Sequence, residues 1–137
     1  MPTPYVTFDG TCGAAFAFYE QVLGATPVSR FTYGESPMAK DVPAELHGLV
    51  MHGTITINGQ ALMGSDAGPW APFEGPVRSC ALSLSYPTAD EAARIFAALS
   101  DGGTVTMPFA KTFWAEGFGM AVDRFGVTWM IDVEHPK

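Results

Sequence analysis

The sequence predicts an α+β protein of two βαβββ modules whose strands form a curved, mostly antiparallel mixed sheet around a concave cup. Three observations carry this expectation. The apolar stripe Ala15, Phe18, Tyr19 and Val22 has helical spacing, and it recurs as Ala92, Ile95, Phe96 and Leu99 at a constant shift of 77 residues. Each stripe follows a short β-prone run. Each is followed by another such run and then by two strand-like segments flanking a turn, of which Asn58-Gly59 is the pair favoured where both turn residues need positive φ.

In the first module Tyr5 to Phe8 reads as a strand, and Asp9-Gly10-Thr11 turns the chain and offers side-chain oxygens to a helix start. The helix is expected from Cys12 to Leu23, ended by Gly24 in the left-handed conformation. Strands follow over Val28 to Tyr33, Val50 to Ile57 and Gln60 to Gly64, with a long loop from Gly34 to Gly48. In the second module Ala81 to Ser85 is the strand and Thr88-Ala89-Asp90-Glu91 is a capping box opening the helix, which Gly102-Gly103 closes. Thr104 to Met107, Gly119 to Val122 and Val127 to Ile131 complete the copy. The reading is one domain over 1–137, with modules 1–64 and 77–137 joined by a linker 65–76 that spends Trp70 and Phe73 and so is expected to be an ordered covering loop.

A chain of 137 residues can bury about 65–70% of the surface its unfolded form exposes, enough for a core without staples. No apolar run approaches the ~20 residues of a membrane span, and Met1-Pro2-Thr3-Pro4 lacks a basic and apolar leader, so a soluble, untargeted, cytoplasmic protein is expected. Cys12 and Cys80 lie in segments that read as buried, which favours free thiols in a reducing compartment. A net charge of −7 with few, scattered basic residues is the opposite of a surface that tracks phosphates, so nucleic acid is not an expected partner.

Strand alternation sorts the first module's side chains. Ile55 and Leu62 should pack under the helix, while His52, Thr54, Thr56, Ala61 and Met63 take the other face, that of the cup.

Several segments in order resemble one family: Pro4-Tyr5-Val6-Thr7-Phe8-Asp9-Gly10, the stretch from Ala15 to Gly24, Met51-His52-Gly53, Thr112-Phe113-Trp114, and Phe118-Gly119-Met120 through Trp129-Met130-Ile131. Together they resemble the PhnB-like proteins of the glyoxalase/bleomycin resistance/dioxygenase (vicinal oxygen chelate) superfamily, some of which carry the name 3-demethylubiquinone 3-methyltransferase. The resemblance implies a βαβββ repeat, commonly a homodimer, and in the superfamily's enzymes a divalent metal held by His, Gln or Glu early in each module's first strand and on its last. Carried over, those positions are Pro4, Ala81, Met63 and Met130. None offers an imidazole or carboxylate, so a hard cation has no ligands there, and no cofactor or metal is expected.

The candidate ligand-binding residues are His52, Thr54, Met63, Ser83, Phe113, Trp114, Phe118 and Met130. His52 is the one with catalytic potential, as a general base or an orienting donor, against the alternative of a core histidine bonded to its neighbours. Met63 and Met130 read as polarizable gap-fillers, or as soft Cu(I) ligands with Cys80 nearby. Phe113, Trp114 and Phe118, with Trp70 and Phe73, supply flat surface that either stacks on a planar ligand or forms a dimer seam. Ser83 and Ser85 can hydrogen-bond a ligand, Lys111 and Glu116 read as loop charges, and Cys12 at a helix start is either an activated thiol or a small buried hydrophobe.

The expected function is metal-independent binding of a planar apolar or aromatic molecule by a homodimeric protein. Two alternatives stand beside it. One is an enzyme of the same superfamily, acid–base through His52 or metal-assisted; the other is a 3-demethylubiquinone 3-methyltransferase-like protein, although the chain offers no Gly-rich strand-to-helix turn for a methyl donor. A scaffold whose cup is filled by its own side chains is a further reading.

Overall fold

The computed structural model describes residues 2–37, 39–68, 73–76 and 80–134. It divides into two compact units, 1–76 and 77–137. In the first, β1 (Tyr5–Phe8), α1 (Cys12–Leu23), β2 (Thr26–Thr32), β3 (Val50–Ile57) and β4 (Gln60–Asp66) make a sheet in the order β1-β4-β3-β2. In the second, β5 (Leu82–Tyr86), α2 (Ala89–Ser100), β6 (Thr104–Ala110), β7 (Phe118–Val122) and β8 (Thr128–Val133) make a sheet in the order β5-β8-β7-β6. Each is mixed: β1 runs parallel to β4 and β5 to β8, and the other pairs are antiparallel. The α+β βαβββ duplication is therefore present. The long loop after β2 contains three short 3₁₀ turns, at Tyr33–Glu35, Ala39–Asp41 and Ala44–Leu46.

The β3–β4 turn is as its sequence dictates, with Asn58 at φ 51° and Gly59 at φ 85°. Gly24 ends α1 in the left-handed conformation, its N–H donating to the Tyr19 carbonyl. Thr88 caps α2 by accepting from the Glu91 N–H at 3.2 Å.

The start of α1 departs from expectation. Thr11 makes no side-chain cap; instead the buried Asp66 carboxylate, from the far end of β4, accepts from the Cys12 N–H at 2.8 Å. Its second oxygen accepts from Val50 N–H at 2.9 Å, and its backbone carbonyl accepts from the Tyr33 hydroxyl at 2.9 Å. This explains why β4 continues through Ser65 and Asp66, both buried, which the sequence had assigned to the linker. Of the linker's two aromatics, Phe73 is partly exposed. Trp70 lies outside the described residues.

The buried stripe of α1 is also rotated from the expected one. Cys12, Ala15, Phe16, Tyr19 and Leu23 are buried, whereas Phe18 and Val22 are half-buried. The sheet decides this. Gly53 and Gly64 are partners across β3–β4, and a Cβ built on either would lie within about 3 Å of the Phe16 ring. Phe16 fills the space those glycines leave.

In the second unit Phe96 fills the corresponding space over Gly119, and the expected stripe Ala92, Ile95, Phe96 and Leu99 is buried throughout. The packed faces therefore correspond as Cys12 with Ala92, Ala15 with Ile95, Phe16 with Phe96 and Tyr19 with Leu99, a shift of 80 positions where the raw stripes suggested 77. Each large apolar group on these faces contributes about 1.5–3 kcal/mol relative to exposure. Trp129 and Ile131 of β8 lie beneath α2 at 1% and 0% exposure.

Candidate functional site

Each helix covers one side of its sheet and leaves the other for side chains that alternate away from it. In the first unit Ile55 and Leu62 are buried under α1, and His52, Thr54, Thr56, Ala61 and Met63 are half-buried on the opposite face, as alternation requires. Strand register arranges Tyr5, Met63, Thr54 and Ser29 of that face in one row across the four strands, with the pairs Thr7–Ser65 and His52–Phe31 next to it. His52 stands among rings, with the Tyr5 centroid at 5.7 Å and that of Phe31 at 5.9 Å. Its Nδ1 meets the Tyr5 hydroxyl at 3.4 Å and its Nε2 meets the Thr54 hydroxyl at 3.3 Å. Both contacts are long for hydrogen bonds to oxygen, so the imidazole is oriented but loosely held. Tyr5 and Phe31 are themselves 51% and 40% exposed. A pocket of about 200 Å³ lined by Phe16, Glu20, Pro27, Ser29, Arg30, Thr54 and Ile55 lies beside β2, where a register shift between Pro27 and Ser29 loosens the pairing.

The second unit presents different chemistry at equivalent positions. One row across its four strands is Ser83, Met130, Met120 and Met107, and the next begins Ser85, Asp132 and Phe118. The Ser85 hydroxyl donates to the Asp132 carboxylate. Cys80, Ala81, Met120, Thr128 and Met130 line a pocket of about 340 Å³. Three rings form a chain at the β6–β7 connection: Phe113 and Trp114 meet edge to face at 4.8 Å, and Trp114 and Phe118 at 5.5 Å. Phe113 is 97% exposed while Phe118 is buried.

The eight sequence-predicted binding residues lie in two places: His52, Thr54 and Met63 share one face of the first unit, and Ser83 and Met130 are strand partners in the second, which also holds Phe113, Trp114 and Phe118. Tyr5, Phe31, Met107 and Met120 were missed. Register alone brings Tyr5 beside Met63, and strand edges such as β2 and β6 gave too short a pattern to place their residues.

The two cysteines behave differently from each other, and one differs from expectation. Cys80 is exposed rather than buried, because it precedes β5 instead of lying within a covered strand. Cys12 is wholly buried, and burial first, with the Asp66 carboxylate second, pushes its thiol up to about 12 despite the opposing Arg30. The activated-thiol reading of Cys12 is therefore overturned. Above the ordinary thiol value of 9.0 the unfolded chain loses a proton that the folded chain keeps, so stability should fall as pH rises from about 9 toward 12, a slope that Cys12→Ala should reduce, leaving the part due to Tyr33, whose hydroxyl is also raised by burial. At pH 8, alkylation of the native protein should modify Cys80 and spare Cys12, as peptide mapping would show.

The metal positions implied by the resemblance can now be located by pairing. The strand partners of Met63 and Met130 are Tyr5 and Ser83, so these stand beside the methionines where Pro4 and Ala81 were assigned. Neither pair supplies a His, Gln or carboxylate. Among the described residues no three His, Cys, Asp or Glu side chains come together as a metal site. The donor set does not fit a hard divalent ion.

The family model described as 3-demethylubiquinone-9 3-methyltransferase matches residues 2–132. The chain belongs to this PhnB-like family. Protein YjdN of Escherichia coli K12 is 35% identical over 97% of this chain and 95% of its own length. The solved structure of PA1353 from Pseudomonas aeruginosa is 41% identical, with a TM-score of 0.87 over 99% of this chain and 98% of that one. The PhnB protein of Bacillus cereus is 25% identical, with a TM-score of 0.82 over 97% and 98%. A solved glyoxalase-related enzyme and a glyoxylase/bleomycin resistance protein/dioxygenase domain, both of lower identity, share the fold. Among its described residues no helix is long and apolar enough to cross a membrane.

Proposed function

We propose that this PhnB-like protein binds a planar aromatic or quinone-like molecule without a catalytic divalent metal. One observation carries the reading: on the face of the first sheet opposite α1, a loosely held imidazole stands between two partly exposed rings, with the Thr54 hydroxyl beside it and Met63 paired with both Thr54 and Tyr5. Rings and thioethers give a flat ligand dispersion and sulfur–aromatic contact, while one or two polar groups set its orientation. The donor set described above supports the metal-free part, since a hard cation needs oxygen or imidazole ligands. The family name refers to a methyl transfer onto a quinone. Two mixed four-stranded sheets are not the doubly wound sheet with a Gly-rich turn that usually holds a methyl donor, so the quinone-like shape is kept here and the transfer is not. The protein acts as a homodimer in this reading, with the exposed Phe113 and its neighbour Trp114 at the seam.

Quenching of tryptophan fluorescence across a panel of naphthoquinones, benzoquinones and flat heteroaromatics tests the proposal, with sedimentation run on the same preparation. His52→Ala should weaken the best ligand about tenfold, worth ~1.4 kcal/mol, with less than about 1 kcal/mol of stability lost. No response to any member of the panel would overturn the binding reading. A large stability loss in His52→Ala would instead make His52 a structural histidine, and a monomer at micromolar concentration would remove the dimer.

A further inference from the structure

The second unit carries a cluster that the aromatic-ligand reading does not require. Met107, Met120 and Met130 are successive strand partners on β6, β7 and β8. Partners across a sheet project to the same side with Cβ atoms about 4.5–5.5 Å apart, so neighbouring thioethers can converge on a single atom without backbone movement. Methionine's three rotatable bonds let the sulfur adjust to that atom. From the segment before β5 the exposed Cys80 joins Met120 and Met130 in lining the 340 Å³ pocket, whose other walls are Ala81 and Thr128. The pocket thus holds one thiol and two thioethers and no carboxylate or imidazole. Hard cations gain nothing from such a donor set, whereas thiolate and thioether ligands select soft ions such as Cu(I).

We infer that this pocket is a binding site for a soft monovalent cation of the Cu(I) or Ag(I) class, held by the sulfurs of Cys80, Met120 and Met130. Met107 stands next in the row as a further thioether donor. Binding forms an ion–sulfur bond at Cys80 and releases the thiol proton, with no change in oxidation state. Two of the three ligands, Met120 and Met130, are strand partners on β7 and β8, and Cys80 reaches the same pocket from the segment just before β5, which gives the site two fixed donors that an isolated surface thiol lacks.

The test titrates the full chain, reduced and free of other metals, with Cu(I) under ascorbate in competition with a chromogenic Cu(I) chelator, and in parallel with Ag(I), which needs no reductant. One ion per chain is expected. Cys80→Ser and the double variant Met120→Leu, Met130→Leu should each weaken binding at least tenfold. The leucines preserve side-chain volume, and circular dichroism confirms that each variant is folded. Should the double variant misfold, Met130→Leu alone is read, with at least a threefold loss expected. Retention of full affinity by the leucine variants would show an ion held by the cysteine alone and overturn the site, as would a stoichiometry that does not reach one. The aromatic-ligand titration is read separately, so the failure of one proposal leaves the other standing.

Discussion

Asp66→Ala should destabilise the protein by about 3–4 kcal/mol in equilibrium guanidinium unfolding, because it strands two buried N–H groups at once. The carboxylate is 2% exposed and accepts from Cys12 and Val50, tying the first turn of α1 to the start of β3. Each donor left buried without a partner costs about 1–3 kcal/mol, and hydrogen bonds to a charged acceptor are the stronger kind. The negative charge also faces the positive end of the helix. Asp66→Asn keeps an acceptor for one of the two donors and should recover roughly half the loss. A cost below about 1 kcal/mol for the alanine variant would mean that α1 is held by its apolar face alone.

The second large effect is expected at Asp123. This side chain is 3% exposed and gathers three donors in the β7–β8 turn: Oδ1 accepts from Phe125 N–H at 2.8 Å and Val127 N–H at 3.1 Å, and Oδ2 accepts from the indole Nε1–H of Trp129 at 2.9 Å. The turn and the largest core side chain of the second unit thus share one carboxylate. Asp123→Ala should cost about 3–5 kcal/mol, again measured by denaturant unfolding. Trp129→Phe removes only the indole donor and its part of the ring, and should cost less than the loss of the hub. If Asp123→Ala and Trp129→Phe cost the same, the turn donors contribute nothing and the carboxylate serves the indole alone.

Asp123 was placed by its sequence in the β7–β8 turn, since its donors lie two to six residues ahead, whereas the Asp66 hub was not legible, and the reason is distance along the chain. Asp66 caps a helix that begins 54 residues earlier, and no local pattern distinguishes it from the Ser and Asp residues of a linker. The caps that are local were legible: Gly24 needs only its own left-handed conformation, and Thr88 bonds three residues ahead. The same contrast holds for the two helices. In α2 the polar residues leave one apolar face, so its buried stripe follows from spacing. In α1 almost every position is apolar, spacing permits several stripes, and the Gly53–Gly64 gap picks the one containing Phe16. Of the candidate site, the sorting of His52, Thr54 and Met63 onto one face needed only alternation, whereas the rings that flank His52 needed to be brought from β1 and β2.

The duplicated order of strands and helices, the Asn58-Gly59 hairpin and the absence of hard-metal ligands at Met63 and Met130 were determined by the sequence by itself, because each depends on residue type or on neighbours a few positions apart. Strand register decided the rest. It set Tyr5 and Phe31 around His52, aligned Met107, Met120 and Met130 into one row, left Cys80 exposed beside two of them, and carried Asp66 back to the first helix. Pairing between strands is a long-range choice, made by which side chains fill the space under each helix, and only the folded chain reveals it.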